Sequence, residues 1–142
     1  DKYSSTPLWS YETGDNVRAV AISADGEYIA IGSYDGKVYL FDKDSSTPLW
    51  SYDTGNYVDS VAISADGEYI AAGSIDDTVR LFQKDSSVAL WHYGVGSNVR
   101  SLSISEDGNY IVSTNDNTKS VAVEPSVSLP VNFTPTTSGT TI

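Results

Sequence analysis

Trp9, Trp50 and Trp91 stand 41 residues apart, and the same step relates Val17, Val58 and Val99. It also relates the pairs Asp25-Gly26, Asp66-Gly67 and Asp107-Gly108. Residues 4–44 and 45–85 align without a gap and are identical at 30 of 41 positions. A fixed period of this length marks one structural unit repeated along the chain, each copy burying its apolar face on its neighbours. The units are 4–44, 45–85 and 86–123. The third keeps register through Ile111, then loses the Gly-Ser pair and the Phe found at 41 and 82.

Each unit reads as four short strands. In residues 7–12 (PLWSYE), Leu8, Ser10 and Glu12 share one face and Trp9 and Tyr11 the other. Residues 17–23 (VRAVAIS) are apolar on both faces, as expected of a strand buried on both sides. Asp25-Gly26 makes a tight turn, 28–33 (YIAIGS) follows, and Asp35-Gly36 turns the chain into 38–42 (VYLFD). A loop over 43–47 leads to Pro48, at a strand start where its missing N–H costs little. Ala19, Ala21, Ala30 and Gly32 let neighbouring sheets approach closely, and no segment has helical periodicity. The chain is therefore expected to be all-β: three tandem four-stranded antiparallel meanders, each the blade of a β-propeller.

The run VRAVAISADGEYIAIGSYDGKVYLFD at 17–42 resembles the second half of a WD40 repeat, with Phe41-Asp42 where Trp-Asp would stand. It is similar also to the Trp-containing repeats of prokaryotic surface and quinoprotein-like propellers. The resemblance covers residues 4 to about 123. The family's Gly-His pair is absent, with Thr13-Gly14 near its place, so the His-Asp-Ser-Trp hydrogen-bond tetrad cannot form. Asp35 and Asp76 still occupy the tight-turn Asp position.

Composition removes whole classes of function. Lys and Arg number 8 against 19 Asp and Glu, a net charge of −11 that repels phosphate backbones and anionic membrane surfaces. With no Cys there is no disulfide, zinc-thiolate site or thiol nucleophile, and a single His (His92) leaves no triad. No apolar run approaches the roughly 20 residues of a membrane span, and none resembles a signal-peptide core. The absence of an initiator Met points to a processed or excised chain. Asp25-Gly26-Glu27, Asp76-Asp77 and Asn115-Asp116-Asn117 read as turn formers rather than calcium ligands. The three Trp residues read as packing groups rather than sugar or quinone platforms. No catalytic residue, metal site or cofactor is assigned.

Propellers typically close with about four to eight blades, so three units do not close alone. With strands a to d running from inside to outside, the chain begins with a d strand and continues a-b-c-d, a-b-c-d, a-b-c. A degenerate last d falls at Pro130, Val131, Asn132, Phe133 and Thr134, leaving one d strand in surplus. Pro7, Leu8, Trp9, Ser10 and Tyr11 are thus candidates for strand exchange with a neighbouring chain. Unpaired blade edges favour the same outcome. Two chains would make a six-bladed ring and an open interface a filament; a fragment of a longer propeller and an engineered repeat stay open alternatives.

The first two units differ at 11 positions, most of them at two connections. Glu12, Asp15, Asn16 and Arg18, with Asp53, Asn56, Tyr57 and Asp59, flank the d-to-a connection. Tyr34, Lys37, Asp77 and Arg80 surround the b-to-c turn, which a meander brings to the same end. This end is the candidate contact face. Residues 124–142 are rich in Ser, Thr and Pro, as in a stalk or a donated strand, and Asn132 is a candidate glycosylation acceptor followed unfavourably by Pro135. The expectation is a non-enzymatic structural protein that self-assembles into an oligomer or filament. An extracellular or cell-surface setting is expected, with the cytoplasm left open. The alternative is a module that binds a protein or glycan.

Overall fold

The structure, a computed structural model, describes residues 2–117 and 121–125. Among these, the first blade comprises β1 (Val17–Ile22), β2 (Tyr28–Ser33), β3 (Lys37–Asp42) and β4 (Trp50–Asp53). The second comprises β5 (Val58–Ile63), β6 (Tyr69–Ser74), β7 (Thr78–Gln83) and β8 (Trp91–Gly94). The third holds β9 (Val99–Ile104), β10 (Tyr110–Asn115) and β11 (Val121–Pro125), and every pairing is antiparallel. The fourth strand expected for this blade at 130–134 lies outside the described residues.

Residues 7–12, expected as a strand, make no ladder, and their packing explains why. Trp50 lies on β4, paired to β3, yet its ring packs on the following blade, 5.2 Å from Phe82, and Nε1 donates to the Lys84 carbonyl at 2.8 Å. Trp9 makes the same two contacts on the first blade, 5.4 Å from Phe41 and 2.6 Å to the Lys43 carbonyl. Residues 7–12 therefore lie at the outer-strand place of a preceding blade, with side chains docked and the strand pairing unmade.

The 41-residue step ends inside the third blade. Ile70 pairs with Phe82, but Ile111 pairs with Glu124, because the β10–β11 hairpin is one residue longer than its counterparts. Val121 and Val123 consequently take the ladder places of Val79 and Leu81, and Glu124 takes that of Phe82.

The core lies in the seams between blades. Ala30, Val38 and Leu40 of the first blade interlock with Val58, Val61, Ile70 and Phe82 of the second. Ala71, Val79 and Leu81 meet Val99, Leu102 and Ile111 in the same way. Glycine sets the spacing: a Cβ at Gly32 would stand 2.7 Å from Val58 Cγ1, and one at Gly73 would stand 2.4 Å from Val99 Cγ1. Hydrogen bonds cross both seams, from Ala24 N–H to the Ala65 carbonyl (3.0 Å) and from Ala65 N–H to that of Glu106 (3.1 Å). Leu102 N–H donates to Ser60 Oγ at 2.9 Å within the second seam.

Each a-to-b turn repeats one device. Ser64 Oγ donates to Asp66 Oδ1 (2.7 Å), which also accepts Glu68 N–H (3.0 Å), while Ser64 Oγ accepts Tyr69 N–H (3.0 Å). Ser23/Asp25 and Ser105/Asp107 repeat the pattern. The Glu68 N–H and the Ser64 hydroxyl hold the Asp66 carboxyl below the ordinary carboxylate range.

Gly73→Ala overfills the second seam and is expected to cost about 1–3 kcal/mol in urea denaturation; a loss under about 0.5 kcal/mol would show that the sheets can separate freely. Since Asp66 has a lowered folded pKa, its stabilisation is present above the unfolded value near ~3.9 and is lost as pH falls through the folded one. The gap in thermal midpoint between the natural chain and Asp66→Ala should be constant from pH 7 to 5 and narrow below about pH 4. A gap that widens in acid would contradict the assignment.

Candidate interaction surface

The outer-to-inner connections and the b-to-c turns meet at one end of the blades. Gly14 N–H donates to Asp35 Oδ2 at 2.8 Å, and Thr54 N–H donates to the Gly36 carbonyl at 2.8 Å. Asp35 also accepts the Lys37 N–H and the Tyr39 hydroxyl. Burial opposes the Asp35 charge, but these donors outweigh it and hold its carboxyl below the usual range. Burial, and then the Asp35 carboxylate, push the Tyr39 hydroxyl well above a tyrosine's ordinary value. In the second blade Asp76 receives a two-pronged contact from Arg80, whose guanidinium lies 5.7 Å from the Tyr52 ring centroid. Asp77 takes the left-handed conformation (φ 67°) that Gly36 takes in the first blade (φ 87°).

The varied residues are thus split between scaffold and surface. Asp53 Oδ1 accepts Gly55 N–H, Asp15 Oδ1 accepts Asn16 N–H, Asn56 Oδ1 accepts Tyr57 N–H, and Arg80 is held by Asp76. Glu12, Asp15, Asn16, Asp53, Asn56 and Tyr57 are exposed, whereas Tyr34, Lys37 and Asp77 are half-buried. Tyr34 stacks on Tyr57 across the first seam with ring centroids 4.4 Å apart, and Arg18 lies over Tyr34 at 5.9 Å.

Beside this stack runs a row of charges one blade apart. Asp59, its side chain 4% exposed, receives Arg100 Nη1 at 2.5 Å. Arg18 Nε lies 4.0 Å from the other Asp59 oxygen, which accepts no hydrogen bond. Arg100 also grips Asp116 through Nε (2.8 Å) and Nη2 (2.7 Å). Both partners raise the Arg100 pKa, Asp116 more than Asp59.

One apolar surface lies where the sequence pattern predicts core. The strand at 17–23 was expected to be buried on both sides, but Val17, Val20 and Ile22 are 49%, 68% and 62% exposed. Their counterparts Val58 and Val61 in the second blade are 0% and 8% exposed, because the first blade covers them. Among the described residues no sheet covers the first blade; Trp9 and Tyr11 pack on its outer part, Tyr11 lying 5.6 Å from Tyr39 and 5.1 Å from Phe41. The available signal was positional: these are core-type residues in the first copy of a row that cannot close.

Of the strand-exchange candidates, Trp9 and Tyr11 are docked and Leu8 is exposed, while 130–134, with the glycosylation candidate Asn132, lie outside the described residues. Among the described residues no cluster of His, Cys, Asp or Glu is arranged to hold a metal ion, and no helix is long and apolar enough to cross a membrane.

No curated protein matches the chain in sequence. Among solved structures it is similar to Kuenenia stuttgartiensis Hydrazine Synthase, with a TM-score of 0.70 and 16% identity over 80% of this chain. The chain spans only 34% of that protein's length, and at this identity the likeness shows the fold alone. The WD domain, G-beta repeat (WD40) family matches residues 5–42, 46–83 and 86–118, one match to each blade. The chain belongs to the WD40-repeat family.

Proposed function

We propose that this chain is a non-enzymatic protein-interaction module: a row of three blades whose first blade docks a β-sheet supplied by a protein partner. The observation that carries this reading is the exposure of Val17, Val20 and Ile22 at positions that are core in the second blade. A contiguous apolar sheet face left bare on a folded domain is characteristic of a binding surface. Residues 7–12 extend the surface, since a docked sheet would gain them as an added edge strand. An extracellular or cell-surface setting belongs to the same proposal, on the strength of the acidic composition, the Ser/Thr-rich sequence at 124–142 and the sequon at Asn132.

Self-assembly is the competing reading, in which the sheet comes from a second copy. It rests on β11, which has no partner on its outer side among the described residues. Continuing the register of Leu81↔Trp91, Trp9 of one copy would pair with Val123 of the next.

Placing a second copy of residues 45–85 ahead of residue 4 supplies the missing sheet covalently. The extended chain should have a higher urea midpoint than the natural one. Val20→Asp should be nearly neutral in the natural chain and cost roughly 3–5 kcal/mol in the extended one, where it buries an unpaired charge. Equal midpoints, with Val20→Asp neutral in both, would contradict a docking face.

A further inference from the structure

We infer that the row of blades extends in one direction only: the third blade is a cap, and the bare face of the first takes a partner protein's sheet with a small-residue centre and a carboxylate opposite Arg18, not a second copy of this chain. This rests on the docking face proposed above and specifies what docks there.

The seam between blades needs small residues on the leading face. Ala30 and Gly32 supply them in the first blade, and Ala71 and Gly73 in the second. The ladder registers put Val112 and Thr114 at those places in the third, opposite Ser103 and Ser101 as Ala71 and Gly73 stand opposite Ala62 and Ser60. The space is already overdrawn at a single Cβ, which at Gly73 would stand 2.4 Å from Val99 Cγ1 and 3.0 Å from Leu102 Cδ2. The branched Thr114 side chain therefore occupies the volume into which Val17 of an arriving copy would have to fit. Tyr110 keeps the identity of Tyr28 and Tyr69 at the seam's end, but the centre is filled. Bulk at its centre, not polarity, closes this face, on which Tyr110 and Val112 stay 57% and 36% exposed; a closed outer face on a terminal repeat stops a stack from growing.

Charge points the same way. Along the inner strands the order is Arg18, Asp59, Arg100, and the buried Asp59 joins its two neighbours. A copy added head to tail would bring Arg18 beside Arg100, which already holds two carboxylates, Asp59 and Asp116, so Arg18 would find like charge and, among the described residues there, no unpaired carboxylate. A sheet bearing a carboxylate at the Asp59 position would continue the alternation. Trp9, already seated on Phe41 and bonded to the Lys43 carbonyl, marks where the outer strand of that sheet belongs.

The test is native molar mass by light scattering over a wide concentration range, with circular dichroism as the check on folding. The natural chain should remain monomeric. Arg18→Gln/Val112→Ala/Thr114→Gly removes both obstacles and should at least double the mass with rising concentration, and adding Val20→Asp should return it to monomer. A natural chain that already forms multimers lost on Val20→Asp, whether dimers through the first blades or longer rows, would overturn the inference. So would a folded triple variant that stays monomeric. The carboxylate is read separately in the chain extended with residues 45–85. Changing the added counterpart of Asp59 to Arg should lower the urea midpoint at low salt, and the loss should shrink at 1 M salt; no loss would overturn this part. If the extension stabilises the chain while the triple variant does not associate, the cap alone is wrong. If the extension itself brings no stabilisation, the docking face is wrong.

Discussion

The approach of one sheet to the next at Gly32 and Gly73 is the contact on which the rest of this structure depends. Each glycine admits a valine of the following blade to a distance that leaves no room for a methyl group. That approach brings Val58, Val61, Ile70 and Phe82 against Ala30, Val38 and Leu40, and so makes a core of sheet against sheet. A single blade cannot bury its apolar faces alone. Two seams turn three meanders into one folded unit, and the same geometry leaves a half-seam bare on the first blade.

Polar interactions align the seams rather than drive them. The backbone bonds from Ala24 to Ala65 and from Ala65 to Glu106 tie successive turns together, and Ser60 Oγ accepts Leu102 N–H inside the second seam. Asp59 joins Arg100 and Arg18 across both. At the end where the turns converge, many of the residues that vary between the first two units are spent on internal bonds. Asp53 caps Gly55 and Arg80 secures Asp76. Variation there exchanges one set of turn partners for another: Tyr39 with Asp35 in the first blade, Arg80 with Asp76 in the second.

Much of the fold was legible because the period is strict. The 41-residue step, the Asp-Gly turns and the small residues at 30 and 32 gave the number of blades, their strands and their close approach. Legibility failed where neighbours, not local chemistry, decide the outcome. Residues 7–12 have a strand's pattern but no partner strand, so they dock by side chains alone. Val17, Val20 and Ile22 carry a core pattern without a covering sheet. The slip at β11 was hidden because one extra residue between the strands leaves the strand's composition unchanged while moving every ladder partner. The candidate surface was therefore only half visible: its varied end was read from differences between copies, whereas its apolar face is identified only by the exposure of residues that are buried elsewhere.

Amide hydrogen exchange of the natural chain, resolved by strand, tests the central claim most directly. Stacked blades with one uncovered end require β5, which a sheet covers on each side, to be protected more strongly than its counterpart β1. The account predicts slow exchange through β5 and β6 and markedly faster exchange along β1. Equal protection of β1 and β5 in the isolated chain would mean that the first blade is already covered, and would contradict it.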